Sequence, residues 1–247
     1  MARQVGLIKI EGTLGDLTFY TQEGEYFVKT KSSLTADQIA NDPNFARTRE
    51  NNREFAEAAS LSKLIKQALS PNLIKDLYYF ARLNAISYRS VRKDSVNGRG
   101  DRELQEGNEY DYYGFDFGGD VDVFQGSIDI NYDRVSGNIV VSPAPFVPAN
   151  EVISPPGATH FDFTFASGEI DTVNKVVVSK DSRSSNKFDV SSISSQFIFP
   201  MLLSVSMSSP HYVVACCTIR FWQLSNGTYY RLYSSDASAL VLSSMFP

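Results

Sequence analysis

Residues 212–224 read Tyr-Val-Val-Ala-Cys-Cys-Thr-Ile-Arg-Phe-Trp-Gln-Leu, and residues 159–165 read Thr-His-Phe-Asp-Phe-Thr-Phe. The first is a nearly unbroken run of β-branched, aromatic and small apolar residues, and the second alternates aromatic with polar. Both are strand patterns, because successive strand side chains point to opposite faces and these residue types fit a pleated, half-buried surface. Turn signals bracket them, with Pro155-Pro-Gly157 before the shorter stretch and Ser225-Asn-Gly227 after the longer. Working outward, apolar or alternating segments recur near 112–118, 121–125, 127–133, 138–142, 173–180, 187–193, 196–207, 228–233 and 238–244. Short strands at this spacing predict an antiparallel β-sandwich over residues 105–247.

Upstream the periodicity changes. Residues 5–31 hold three short β-branched or aromatic runs, 5–10, 16–20 and 25–31, punctuated by Gly12, Gly15 and Gly24. This is a β-ribbon signature, and such a ribbon alone is marginal in water, so it must pack on something. Asp42-Pro43 then opens a helix, with the acid as cap and proline at the first helical position. Apolar residues at helical spacing (Phe55, Ala56, Ala59, Leu61, Leu64, Ile65, Ala68, Leu69) carry it to Leu69. Ser70-Pro71 starts a second helix, with Leu73, Ile74, Leu77, Tyr78, Ala81, Ala85 and Ile86 as its buried stripe. Residues 93–108 are a polar connector. The fold class expected is α+β: a β-ribbon and helical hairpin over residues 1–104, then the sandwich over 105–247.

Charge divides at the same place. Residues 1–103 carry 16 Lys and Arg against 13 Asp and Glu, whereas 104–247 carry 7 against 15. Such asymmetry marks a boundary or a polar contact between unlike halves. At 43% hydrophobic and 21% charged, the 247 residues are able to bury a core, which excludes a disordered chain. Two Cys and two His exclude a disulfide scaffold and a multi-zinc protein. Lys9, Glu11 and Asp16 interrupt the N-terminal apolar run, so no classical secretory signal is read there, and no stretch has the length of a membrane span. The expected place of synthesis is the cytoplasm, with release as part of a particle open to it.

Motifs that would carry chemistry are scarce. Asp129-Ile-Asn-Tyr-Asp133 has the i, i+2, i+4 spacing of a calcium loop, but Arg134 and Val140 stand where an EF-hand requires Gly and Glu. On a strand those three polar residues share a solvent face; a calcium site would need Asp120 and Asp122 as well. Arg99-Gly-Asp101 matches an adhesion tripeptide, yet reads more simply as a loop with glycine hinges. The helices' basic series, Arg47 to Lys93, is interleaved with Glu50, Glu54, Glu57 and Asp76, which favours a salt-bridged face over nucleic-acid binding. Cys216 and Cys217 read as small apolar core residues on opposite strand faces, and His160 and His211 as strand-edge residues. Asn226-Gly227 reads as a hairpin turn rather than a glycosylation site. No nucleophile, metal or phosphate-loop motif is present, so no catalytic residue, metal or cofactor is expected.

The stretch Gly6-Leu-Ile-Lys-Ile-Glu-Gly-Thr-Leu-Gly-Asp-Leu-Thr-Phe-Tyr20, followed by Asn41-Asp-Pro-Asn-Phe-Ala-Arg-Thr-Arg-Glu-Asn51 and Glu54-Phe55, resembles a family of uncharacterised proteins. These recur, often in several copies, in Bacteroidota genomes and their mobile elements. The likeness is specific over roughly residues 5–70, with weaker echoes in Arg99-Gly-Asp-Arg102, in Pro145 to Asn150 and in Pro156-Gly-Ala-Thr-His-Phe161. It implies no activity, so no functional residue is carried over. Multiple copies suit a structural component better than a metabolic enzyme.

The expectation is therefore a non-enzymatic, self-assembling subunit of a virion, filament or tube. Its partners would be copies of itself and other structural proteins of the same particle. The Gly-punctuated ribbon offers edges that would add to a neighbour's sheet. The alternative is a sandwich module binding a carbohydrate or protein partner through Tyr20, Tyr110, Tyr112, Tyr113, Phe115, Trp222 and Tyr229.

Overall fold

The structure, a computed structural model, describes residues 2–6, 8–31, 34–70, 77–105, 108–117, 123–133, 135–196, 201–204, 211–232 and 243–246. It is α+β, with antiparallel sheets and two principal helices. The chain forms two compact units, Met1–Asn51 and Asn52–Pro247. The change in charge near residue 104 falls inside the second.

In the first unit, β1 (Ala2–Arg3), β2 (Gly12–Leu14), β3 (Leu17–Gln22) and β4 (Glu25–Thr30) form one antiparallel sheet in the order β1-β4-β3-β2. Among the described residues of 5–10 no strand is formed. Gln4 takes its place in the bonding: its side-chain amide donates to the carbonyls of Ile10 and Phe27, and its oxygen accepts the Ile10 N–H, so the segment is tied without a ladder. The β3–β4 turn has positive φ at both Glu23 and Gly24, the two-residue hairpin geometry that matches strand twist. Helix α1 (Ala36–Asn41) follows, its capping box built by Thr35 and Gln38. Asp42 then caps a short 3₁₀ turn, Pro43–Phe45, ahead of α2 (Ala46–Leu69).

In the second unit α2 and α3 (Tyr79–Arg92) contribute to the same hydrophobic core as the sheets. The buried stripe of α3 is Tyr79, Leu83, Ser87, Ser90 and Val91; Ala81, Ala85, Leu77 and Tyr78 are exposed, contrary to the spacing argument. The cause is a buried hydroxyl chain that a hydrophobic count misses. Ser62 Oγ donates to the Ala58 carbonyl, Ser87 bonds Ser62, and Tyr112 donates to Ser87 at 2.9 Å. Burial pushes the Tyr112 phenol well above its ordinary pKa, so it is a permanent donor. A second inversion lies on α2, where Phe55 is exposed and Glu54 buried. Residues 71–76, which include the expected Leu73 and Ile74, lie outside the described residues.

A three-stranded sheet runs β10 (Met201–Ser204), β6 (Asn138–Pro143), β5 (Ile128–Asp133). The larger sheet runs β12 (Thr228–Arg231), β11 (Tyr212–Ser225), β7 (His160–Asp171), β8 (Val176–Ser184), with β9 (Phe188–Asp189) on β7 and β13 (Ser243–Phe246) on β11. Strand β7 is buried on both faces. Phe163 meets Phe124 and Phe146 edge-on at ring-centroid distances of 5.1 and 5.5 Å, while Gly168 on the other face lies against Ala68 of α2. The segment 112–118 was expected as a strand, but Glu109–Tyr112 is a 3₁₀ turn. Phe115 and Phe117 reach the core from the irregular chain that follows.

Gly168 sets the helix–sheet spacing. A Cβ there would lie 2.6 Å from the Ala68 Cβ and 3.1 Å from its backbone, neither of which is a flexible chain end. Gly168→Ala is expected to destabilise by about 2 kcal/mol through overpacking, read as a lower urea midpoint at unchanged m-value.

Candidate functional site

The strand register sorts the first unit's sheet into two unlike faces, since directly paired residues point the same way. One face carries Ala2, Leu14, Leu17, Phe19, Thr21, Tyr26, Val28 and Thr30, with Gly12, and has no charged strand residue. The other carries Arg3, Thr13, Thr18, Tyr20, Gln22, Glu25, Phe27 and Lys29. The polar face is satisfied within itself. Arg3 pairs with Glu25, Tyr20 stacks on Phe27 at 5.8 Å, and the Lys29 ammonium lies 5.1 Å from the Tyr20 ring centroid.

Among the described residues of its unit, none forms a second layer on the uncharged face. Leu14 is 72% exposed and Leu17 44%; Phe19, Tyr26 and Val28 are only half-buried. Helix α1 buries nothing, and none of the described residues of 1–51 is buried. A sheet apolar on one side ordinarily covers that side with another layer. At one end of the face Lys9 lies over the Tyr26 ring and Thr21 donates to Glu11; at the other the Lys31 N–H donates to the Asp16 carbonyl. The alternation of Leu17, Phe19 and of Tyr26, Val28 is visible in the sequence, but register is what places them on one side.

No protein-family model, curated protein or solved structure matches the chain. The candidate sites named from sequence are therefore judged on their own geometry.

The Arg99-Gly-Asp101 loop is held down. Arg53 donates to Asp101 at 2.7 Å, the Gly100 N–H donates to buried Glu54 at 2.9 Å, and Arg102 lies 3.7 Å from the same carboxylate. Of the basic series, Arg53 and Lys93 are spent on Asp101 and Asp111, and Arg82 on the Asp116 carbonyl. On β5, Ile128, Ile130 and Tyr132 face inward and Asp129, Asn131 and Asp133 outward, the solvent-face arrangement the pattern predicts. The Asp133 carboxylate accepts from the Ser136 hydroxyl and the Val135 N–H, which lowers its pKa. Asp120 and Asp122 lie outside the described residues.

Cys216 and Cys217 are free, fully buried and on opposite faces of β11; burial pushes the Cys216 thiol up to about 12 and Cys217 well above its ordinary value. Neither supplies a thiolate at neutral pH. Asn226 and Gly227 both have positive φ, which is the hairpin turn. Among the aromatics, Tyr112 and Phe115 are core. Trp222 and Tyr229 do come together, but around the chain's own cations: Lys187 Nζ lies 4.3 Å from the Trp222 centroid and 5.0 Å from that of Tyr229, with Arg220 5.5 Å from Trp222.

One polar group was not legible as such. His211 stands between two β7 carboxylates, Nδ1 2.7 Å from Glu169 Oε1 and Nε2 3.3 Å from Asp171 Oδ2, with the Ser179 hydroxyl donating to Glu169. The ring lies between the carboxylates, so the three do not converge on a point. Among the described residues no group of His, Cys, Asp and Glu side chains is arranged to hold a metal ion, and no helix is long and apolar enough to cross a membrane.

Proposed function

We propose that this chain is a non-enzymatic structural subunit that assembles with copies of itself into a particle, filament or tube. The observation that carries the reading is the N-terminal sheet: four strands with one uncharged apolar face, and none of the described residues of their unit buried. A sheet of this kind is marginal alone and gains stability when another layer covers it. Charge permits self-association, because residues 1–51 carry six Lys and Arg against seven Asp and Glu and copies meet there with little repulsion. The alternative, a sandwich module for a carbohydrate or protein ligand, draws less support, since Trp222 and Tyr229 already hold cations of the same chain on their rings.

Light scattering of the full chain across a concentration series, with negative-stain images of the same samples, tests the reading. The weight-average mass is expected to rise with concentration from the 27.5 kDa of one chain, and removal of residues 1–31 to abolish the rise. A 27.5 kDa species at every concentration would overturn it.

A further inference from the structure

We infer that Asn226-Gly227 is a site of spontaneous covalent modification, where the chain's own backbone nitrogen displaces the side-chain amide and a carboxylate results at the tip of the β11–β12 hairpin. The reaction needs a single chain and no partner, so it stands apart from self-assembly.

The sequence holds two Asn-Gly pairs, Asn97-Gly98 and Asn226-Gly227. Glycine after asparagine favours an intramolecular attack, because without a Cβ its nitrogen approaches the neighbouring side-chain carbonyl unhindered and its backbone turns freely. The Gly227 nitrogen bonds to Asn226 Cγ, and the Cγ–Nδ2 bond breaks. The departing amide takes the proton of the Gly227 N–H and leaves as ammonia, so that a five-membered cyclic imide remains. Water then adds to one of the two imide carbonyl carbons and opens the ring. Attack at Cγ gives aspartate, and attack at the backbone carbon gives isoaspartate. Nothing is oxidised or reduced.

The structure separates the two pairs. Both glycines are open, since a Cβ on either would meet nothing within 4 Å. The difference lies with the asparagines. Asn97 is clasped: its N–H donates to Asp94 Oδ1 at 3.1 Å and its Nδ2 to Asp94 Oδ2 at 2.8 Å, while the Gly98 carbonyl accepts the Asp101 N–H at 3.0 Å. The amide that would have to leave is therefore held by a carboxylate that is itself buried. Asn226 has no such clasp. Among the described residues neither its side chain nor the Gly227 N–H is hydrogen-bonded, and Gln223 to Tyr230 are all exposed. The closed turn, with φ of +50° at Asn226 and +76° at Gly227, has to open before the nitrogen faces Cγ. That opening is local, because β12 is four residues long and the outermost strand of its sheet.

The product reaches further than the turn. One added negative charge takes the net charge from −5 to −6. Isoaspartate also lengthens the backbone by one carbon, and a two-residue turn matched to strand twist does not close around it. The pairs of Ser225 with Thr228 and of Leu224 with Tyr229 then lose register. Tyr229 is thereby drawn away from the Lys187 ammonium, which lies 5.0 Å from its ring centroid and 4.3 Å from that of Trp222, the only tryptophan.

Peptide mapping by mass spectrometry of the full chain, aged in mildly alkaline buffer, reads conversion at both pairs, with enzymatic methylation as the label for isoaspartate. In the folded chain Asn226 is expected to convert at least tenfold faster than Asn97, and in guanidinium chloride that unfolds the chain the two at about equal rates. Asp94→Ala, with unchanged circular dichroism, is expected to bring Asn97 up towards the rate of Asn226. The isoaspartate form is expected to show altered Trp222 emission, whereas Asn226→Asp, which adds the charge without lengthening the backbone, keeps that of the wild type. Asn226 intact in the folded chain while the unfolded sample converts would overturn the site, because the closed hairpin then protects it. Equal conversion at both pairs in the folded chain would overturn the selection by Asp94.

Discussion

Replacing His211 by alanine is expected to cost about 3–5 kcal/mol of stability, the largest effect of any single polar substitution in the second unit. Glu169 is 1% exposed and lies two residues before the end of β7, where it is paired with strands on both sides, so it has no route to bulk water without disturbing the sheet. A carboxylate in that position needs compensation, and His211 supplies it at 2.7 Å while its other ring nitrogen faces Asp171. Carboxylate oxygens only accept, so the ring nitrogen facing Glu169 meets it as the donor. Asp171 depends on it less. The backbone and side-chain N–H groups of Asn174 and the backbone N–H of Val173 hold its pKa down, with His211 a further contribution. The penalty therefore concentrates on Glu169. Urea unfolding of His211→Ala should show it, and Glu169→Gln in the same chain should recover at least half, because the cost belongs to a buried carboxylate that has lost its hydrogen-bond donor. A loss below 1 kcal/mol, or no recovery in the double variant, would mean that Glu169 is solvated by some other route.

This pair shows where sequence reading runs out. His211 follows Ser-Ser-Pro at a strand start, and Glu169 lies 42 residues away on another strand. Nothing local couples them; only the β7–β11 register, which sets Val213 opposite Glu169, does. Features with a local cause were legible. Strands β5, β6, β11 and β12 fall where alternation and turns place them, α2 ends at Leu69, and Asn226-Gly227 is a turn because its φ values demand those residues. Failures arise where tertiary contacts override local pattern. In the run 5–10 the Gln4 side chain, not a ladder, bonds the Ile10 N–H and carbonyl, and within 112–118 Tyr112, Phe115 and Phe117 enter the core from a 3₁₀ turn and the irregular chain after it. The apolar residues of the candidate assembly face were in plain sight as alternating positions. Their significance was not, since an uncovered face is defined by what does not pack on it.

Asp94→Ala is expected to cost about 3 kcal/mol near neutral pH, and the cost should shrink in acid. The side chain is 3% exposed and accepts five hydrogen bonds: Oδ1 from the N–H groups of Val96 and Asn97, Oδ2 from the Asn97 and Gln105 side-chain amides and the Glu103 N–H, at 2.7–3.2 Å. These bonds reach both ends of the connector 94–105, which carries Gly100 to Glu54, so one carboxylate organises the loop that follows α3. Burial alone would raise its pKa, but the Glu103 N–H, the Asn97 side chain and backbone, and the Val96 N–H outweigh that and hold it well below the ordinary range. A carboxyl group depressed in the folded state binds fewer protons there than in the unfolded chain, so its stabilisation is fully present above the unfolded value of about 3.9 and is lost as pH falls through that value towards the folded one. The gap in unfolding free energy between wild type and Asp94→Ala should accordingly be constant from pH 7 to about 5 and narrow below 4. A gap that stayed the same down to pH 3 would show that Asp94 acts through packing and not through its charge, because other depressed carboxylates such as Asp171 and Asp189 titrate alike in both proteins and cancel from the difference.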